Sequence, residues 1–342
     1  MTLESGEPLH GEEAIIQEYL APLAAGYAGA LGLKDDCAIL SPTPGHDVVL
    51  KTDPVAGGIH FLPDDDPANI GWKALAVNVS DLAAKGATPR AYLMALSFPE
   101  APTRAWMARF ASGLAEAQTA FGIQLAGGDT DRRPGPVTIS ITVLGEVPTG
   151  RMVRRATAKP GDILYVTGWL GDAALGLRLI KDPGLASRWG ISTRAADAAV
   201  ARFLRPQPRL AIREPLLAHA RAAMDLSDGL VKDLGRMAAA SGCGALVSLG
   251  GVPLSDVGAA AVAADDALWS AIAASGDDYE VLIAVPPEGT AAFESSATTA
   301  CAAARPSFGI TRIGEMTAAG GVALFKPDGR PYLPPRAGWD HF

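Results

Sequence analysis

Aspartates set beside small or hydroxyl residues recur at five widely separated points of this chain. They are Lys34-Asp35-Asp36-Cys37-Ala38, Lys51-Thr52-Asp53, Asn78-Val79-Ser80-Asp81-Leu82, Gly127-Gly128-Asp129-Thr130 and Asp225-Leu226-Ser227-Asp228-Gly229. Four of them follow an apolar run or an amphipathic stretch, which sets the carboxylates at the ends of ordered elements rather than in solvated acidic tails. A magnesium-phosphate site is built in this way. Mg²⁺ keeps several waters and takes one or two protein carboxylates plus substrate phosphate oxygens, so this many aspartates in one place imply more than one ion.

Helical and strand patterns alternate along the chain. Glu12 to Leu23 reads as a short amphipathic helix, and Val48 to Lys51 as a strand that delivers Asp53 at its end. Asp66-Pro67 has the form of an N-cap followed by proline at the first helical position, opening a helix that runs to Lys85, where Gly86 stops it. Arg90 to Phe98 is expected as a strand, Thr103 to Phe121 as a helix capped by Gly122, and Ile123 to Ala126 as a strand feeding a Gly127-Gly128-Asp129 turn. Val137 to Val147 alternates like an edge or half-buried strand. The expected domain boundary is the loop Pro148 to Lys159, which carries Arg151, Arg154 and Arg155. Beyond it come a strand Asp162 to Thr167, a helix Asp172 to Ile180, a rigid Pro206-Gln207-Pro208 spacer and a helix Arg209 to Arg221. The strand Ala222 to Leu226 then leads into Ser227-Asp228-Gly229 and a helix to Ala240. Strands at Tyr279 to Val285 and Thr311 to Glu315 follow.

The length of 342 residues suits two domains, each large enough for its own core. With 49% hydrophobic and 19% charged residues the composition is globular. A net charge of -8 argues against a nucleic-acid surface, which needs clustered Lys and Arg. It suits metal cations that bring a polyanionic ligand. Cys37, Cys243 and Cys301 have no C-x-x-C spacing and leave one thiol unpaired under any disulfide scheme, so a cytoplasmic location is expected. The N-terminus has no apolar leader. The longest uncharged stretch, Met237 to Ser255, is broken by Gly and Pro, so no membrane span is expected.

Six motifs in register resemble one family. Lys34-Asp35-Asp36-Cys37-Ala38, Thr52-Asp53 with Gly58-Ile59-His60-Phe61, the run Gly71 to Ala87, Gly127-Gly128-Asp129-Thr130, Asp225-Leu226-Ser227-Asp228-Gly229-Leu230 and Gly276-Asp277-Asp278-Tyr279-Glu280 together resemble the thiamine-monophosphate kinases. The likeness extends to the closing Gly338-Trp339-Asp340-His341-Phe342. It implies the PurM-like fold of the superfamily that includes aminoimidazole ribonucleotide synthetase and selenophosphate synthetase. That is an α/β (α+β) fold of two domains, residues 1–150 binding ATP and Mg²⁺ and dimerising through their sheet, and residues 151–342 forming a C-terminal α/β domain. It also implies a homodimer and the conversion of ATP and thiamine monophosphate to ADP and thiamine diphosphate with several Mg²⁺ ions. Residue by residue, the resemblance makes Asp36, Thr52, Asp53, Asp81, Asp129, Asp225 and Asp228 metal-binding positions, with Asp36, Asp53, Asp129 and Asp225 central to catalysis. Gly128, Arg155 and Ser227 match ATP contacts; His60, Asp277 and Trp339 match positions near the thiamine phosphate. Three departures stand out: Lys34 where the family usually has Gly, Lys85 for a common Met, and Asp277 for the usual Glu.

The residues themselves suit that chemistry. Phosphoryl transfer asks a protein mainly for positioning and charge neutralisation. A phosphate monoester acceptor is already ionised near neutral pH, so no general base is required, and none is evident. Gly127-Gly128 would let backbone N–H groups approach a phosphate, and Ser227-Asp228 at a helix start would favour an anion. Classical nucleotide motifs are absent: there is no G-x-x-x-x-G-K-[ST] and no kinase H-R-D or D-F-G set. Each feature also has a plainer reading. Asp64-Asp65-Asp66 suits a solvated loop and cap, Asp81 and Asp228 could be caps, and His60 a satisfied polar residue. Trp339 could pin the tail, and Arg155 could lie in a solvated basic loop. Two rival functions remain open at this level, another ATP-using PurM-like synthetase and a non-catalytic Mg-nucleotide-binding protein. Against the first, Cys37 follows the aspartates and lacks the setting of a selenophosphate synthetase's reactive residue.

Overall fold

The computed structural model describes Leu9 and residues 11–340, so His341 and Phe342 of the closing motif lie outside the described residues. The chain divides into two compact units, Met1–Leu82 with Ala87–Gly150, and Ala83–Gly86 with Arg151–Phe342.

The first unit is a four-stranded sheet of order β1-β4-β2-β3, formed by β1 (His46–Ala56), β2 (Thr88–Phe98), β3 (Gln124–Arg132) and β4 (Thr138–Pro148). β4 pairs antiparallel with both β1 and β2 and is therefore an interior strand. Its alternating burial fits the half-buried pattern of its sequence. β2 and β3 are parallel, as their connection through the helix Arg104–Phe121 requires. That helix begins where the Thr103 hydroxyl accepts the Trp106 N–H at 3.2 Å, and ends at Gly122, whose φ of 65° suits a residue without a Cβ. The helix Pro67–Ala84 starts on Asp66, whose Oδ1 accepts the Ala68 N–H at 2.9 Å. The two helices approach backbone to backbone. A Cβ on Gly113 would stand 1.9 Å from the Ala68 carbonyl oxygen, and one on Gly71 would stand 2.5 Å from that of Phe110. Leu75, Leu82, Met107, Phe110 and Leu114 are buried here with Tyr92, Met94, Ile139 and Ile141 of the sheet's inner face.

Two expected boundaries shift. β1 runs on to Ala56, which places Thr52 and Asp53 inside the strand rather than at its end. Gly127, Gly128 and Asp129 lie within β3 and not in a turn. The reason is steric: Gly128 is opposite Met94 on β2, and a Cβ there would meet the Met94 carbonyl oxygen at 1.8 Å. Glycine lets the strands close.

The second unit holds a seven-stranded sheet of order β11-β10-β7-β9-β5-β8-β6. Its strands are β5 (Ile163–Thr167), β6 (Ala222–Leu226), β7 (Gly244–Ser248), β8 (Glu280–Val285), β9 (Ile310–Thr317), β10 (Gly321–Phe325) and β11 (Pro331–Tyr332). Only β10 and β7 are parallel. β5, β6 and β8 are buried at every residue because apolar clusters cover both faces of the sheet. The helix expected over Arg209 to Arg221 is shorter, a 3₁₀ turn Leu210–Ile212 followed by Arg213–His219. Among the described residues no helix is long and apolar enough to cross a membrane.

Candidate active site

In the first unit, register decides which aspartates meet. One cross-strand row runs Asp53–Ile141–Met94–Gly128, and the next runs Pro54–Ser140–Ala95–Asp129. Three strand spacings of about 4.8 Å therefore separate the rows' ends, and the sheet does not set Asp129 beside Asp53. The helix Pro67–Ala84 supplies Asp53's partner instead. Asn78, fully buried, accepts the Asp53 N–H on Oδ1 at 2.8 Å and donates through Nδ2 to the Ala74 carbonyl at 3.1 Å, locking strand to helix. Asp81 then faces Asp53 across Lys51, whose Nζ lies 2.9 Å from Asp81 and 3.0 Å from Asp53. Burial raises the Asp53 pKa; Lys51 opposes the shift, and the Asp81 charge adds to it only after that. Desolvation rather than crowding of like charges is thus the main cause.

Thr52 lies on the opposite face of the strand from Asp53. Its hydroxyl donates to the Ile141 carbonyl at 3.2 Å and accepts from Thr142 at 2.9 Å. Asp36 is exposed on the segment after the 3₁₀ turn Ala28–Leu33, which is tied back by the Ile39 N–H to Gly29 carbonyl bond of 2.8 Å. Lys34 closes that turn. His60 folds back on β1: its Nδ1 accepts the Ala56 N–H at 3.1 Å, so in the neutral ring Nε2 carries the proton. Asp66 is a helix cap that also pairs with Arg109, in line with its plainer reading.

In the second unit, β6 carries the buried Asp225 one residue before its end at Leu226, and the chain turns through Ser227, Asp228 and Gly229 into the helix Leu230–Ser241. The three N–H groups of that turn are not left for an incoming anion. Asp233 Oδ2 accepts all of them, from Ser227 at 3.0 Å, Asp228 at 2.9 Å and Gly229 at 3.2 Å. This corrects the expectation of an open anion-favouring helix start. Burial raises the Asp233 pKa, against the pull of those N–H bonds and of Arg236. Asp228 is paired with Arg236 at 2.6 Å and Lys232 at 3.5 Å.

Two further segments dock on the same turn. The Asp277 N–H donates to the Ser227 carbonyl at 3.0 Å, and the Tyr279 N–H to that of Leu226 at 2.8 Å. Gly276 is required there, because a Cβ would lie 2.3 Å from the Ser227 carbonyl oxygen. The Trp339 N–H donates to the Asp228 carbonyl at 3.0 Å, and the residue is 47% exposed. The structure thus gathers Ser227, Asp228, Asp277 and Trp339. It sets Arg155 apart: the Arg155 carbonyl accepts from Ser241, the last residue of a helix about 18 Å long whose first turn follows Ser227.

Asp277 and Tyr279 both have positive φ, 73° and 49°, an uncommon conformation for side chains of their size. What holds them is a buried polar network. Asp278 accepts the Gly171 N–H at 3.0 Å on each carboxylate oxygen, and Arg202 donates to the Asp278 carbonyl at 3.1 Å and to Glu280 at 2.6 Å. Arg209 pairs with Glu280 from a second side, and the Thr167 hydroxyl donates to it at 2.7 Å. Burial drives the Asp278 pKa well up, and it lowers that of Arg202. Lys85, of the second unit, donates to the Ala223 carbonyl at 2.8 Å, two residues before Asp225.

Sequence reasoning missed Lys51, Asn78 as a lock, Asp233 and the Arg202–Arg209–Glu280 network. Asp233 alone left a local signal, a carboxylate in the first turn after a Ser-Asp-Gly turn. Among the described residues no three His, Cys, Asp or Glu side chains converge closely enough to hold a metal ion by themselves.

Comparison with known proteins agrees with this architecture. The AIR synthase related protein N-terminal domain matches residues 34–147, and the AIR synthase related protein C-terminal domain matches residues 159–326. The thiamine-monophosphate kinase of Caulobacter vibrioides is 39% identical over 329 residues, 95% of this chain and 89% of that protein. The crystal structure of thiamine-monophosphate kinase from Stenotrophomonas maltophilia K279a superposes with a TM-score of 0.80 at 34% identity, covering 95% of this chain and all of that one. A structure of AaThiL complexed with AMPPCP and TMP gives 0.73 at 30% identity, covering 90% and 91%. With its PurM-like two-domain fold and near full-length likeness, the chain belongs to the thiamine-monophosphate kinase family of AIR synthase related proteins.

Proposed function

We propose that this protein phosphorylates thiamine monophosphate with ATP, giving thiamine diphosphate and ADP by direct in-line transfer. Near full-length identity to thiamine-monophosphate kinases carries the reading, and the related structure holding an ATP analogue and TMP supports it. Asp36, Asp53, Asp81 and Asp129 of the first unit and Asp225 and Asp228 of the second are the proposed metal ligands, with Thr52 beside them in sequence. An all-oxygen donor set suits Mg²⁺, and carboxylates that come in ones and twos suit an ion that completes its shell with water and phosphate oxygens. When bound, Mg²⁺ supplies charge neutralisation between two anionic phosphates.

The chain's own residues orient the reactants. Gly128 and Ser227 are assigned to ATP, and Arg155 to its charge from a separate surface. His60 offers an N–H at Nε2 to the acceptor phosphate. The exposed ring of Trp339 offers a flat apolar face to the organic part of the acceptor, with Asp277 docked on the same turn. No group is asked to remove a proton, since the attacking oxygen is already ionised.

The outer face of the first unit's sheet shows Leu50 at 65% and Leu93 at 41% exposure, which supports a homodimer formed through that sheet. Buried or unpaired thiols suit a cytoplasmic enzyme. An assay with Mg-ATP and a panel of acceptors tests the activity. Thiamine diphosphate and ADP are expected from thiamine monophosphate, with free thiamine a poor acceptor. Faster product formation from free thiamine would refute the reading, and ATP binding without ADP release would point to a non-catalytic protein.

A further inference from the structure

Lys51 occupies the gap between Asp53 and Asp81, its Nζ 3.0 Å from one carboxylate and 2.9 Å from the other. The placement follows from the fold. Lys51 and Asp53 are two residues apart on β1 and share a face, while Asn78 ties the Asp53 backbone to the helix that carries Asp81. One ammonium against two carboxylates leaves one negative charge uncompensated. A cation bridging two carboxylates is also the arrangement a divalent ion takes, drawn in to about 2.1 Å for magnesium and oxygen. The ammonium group and a divalent ion cannot share that gap, because like charges a few ångströms apart repel strongly where water is partly excluded. Lys51 is free to leave: its side chain is 33% exposed, on a flexible four-carbon stem. Asp53 and Asp81 stay, held by strand and helix.

We propose that Lys51 is a resident counter-ion of the Asp53–Asp81 pair, and that a divalent cation binds this pair by expelling its ammonium group. The inference rests on the reading of Asp53 and Asp81 as metal ligands. Lys51 thereby offsets one of the two negative charges in the metal-free protein and sets the concentration at which metal enters.

The test uses the full-length protein without nucleotide. Mn²⁺ binding is followed by the resonance of the free ion, with Mg²⁺ as competitor. Lys51→Met removes the charge and keeps the stem; its Mn²⁺ affinity should rise about tenfold to a hundredfold, since a charge-assisted pair no longer has to be broken. Lys51→Arg should stay near the parent. In the parent protein, amine acetylation read by mass spectrometry should speed up severalfold at Lys51 on adding Mg²⁺, with exposed Lys181 as the internal reference. Unchanged or weaker Mn²⁺ binding by Lys51→Met, or acetylation of Lys51 that does not rise, would overturn the proposal. The acetylation result decides if Lys51→Met does not fold. Asp53→Asn and Asp81→Asn separate the two levels. If both leave Mn²⁺ affinity intact, the metal-ligand reading falls and the proposal with it. If they weaken binding while Lys51→Met does not tighten it, only the role of Lys51 is refuted.

Discussion

Trp339 and Asp277 reach the same turn through their own backbone N–H groups, which donate to the Asp228 and Ser227 carbonyls, so their side chains can be changed without touching the proposed metal ligands. Trp339→Ala should raise the KM for thiamine monophosphate about two- to thirtyfold, the worth of a stacking or cation–π contact, with little effect on the KM for ATP. Asp277→Glu restores the family's usual side chain and should be tolerated, whereas Asp277→Ala should be worse than either. Equal effects on both substrates, or an effect on ATP alone, would make Trp339 a packing residue. The motif aspartates stood out in the sequence because six motifs are in register with one family; singly, a carboxylate beside Gly, Ser or Thr is ordinary turn and cap chemistry. Lys51 and Arg202 did not, since Asp81 and Glu280 come within their reach only on folding, whereas Asp233 accepts from N–H groups four to six residues away.

At the level of elements, the sequence showed most strands and helices but not how they meet. The caps at Asp66 and Gly122 were readable because each depends on a few adjacent residues. Gly127-Gly128 looked like a turn because glycine marks turns; in β3 the demand comes from Met94 on another strand, which no local pattern reports. Gly113 is a similar case, a glycine inside a helix that is present because Ala68 lies against it. Gly113→Ala should force the two helices of the first unit apart and destabilise the protein by about 3 kcal/mol, measured by urea unfolding. A change below about 0.5 kcal/mol would mean that the helices yield without cost, and would remove the close approach as a source of stability.

For the whole molecule, the outer sheet face of the first unit is where an oligomer is expected. Leu50 and Leu93 lie there with Thr142, which pairs with Thr52 on one side and Leu93 on the other. Leu50→Glu with Leu93→Glu should convert the proposed homodimer to a monomer of 35.1 kDa, read by light scattering on a sizing column. A mass unchanged from the parent would place any interface elsewhere. Because the Asp233 carboxylate gathers the N–H groups of Ser227, Asp228 and Gly229, the turn that receives Asp277 and Trp339 is held in shape by the chain's own atoms. The disorder of that segment is surrendered once, when the chain folds, and not again at each turnover.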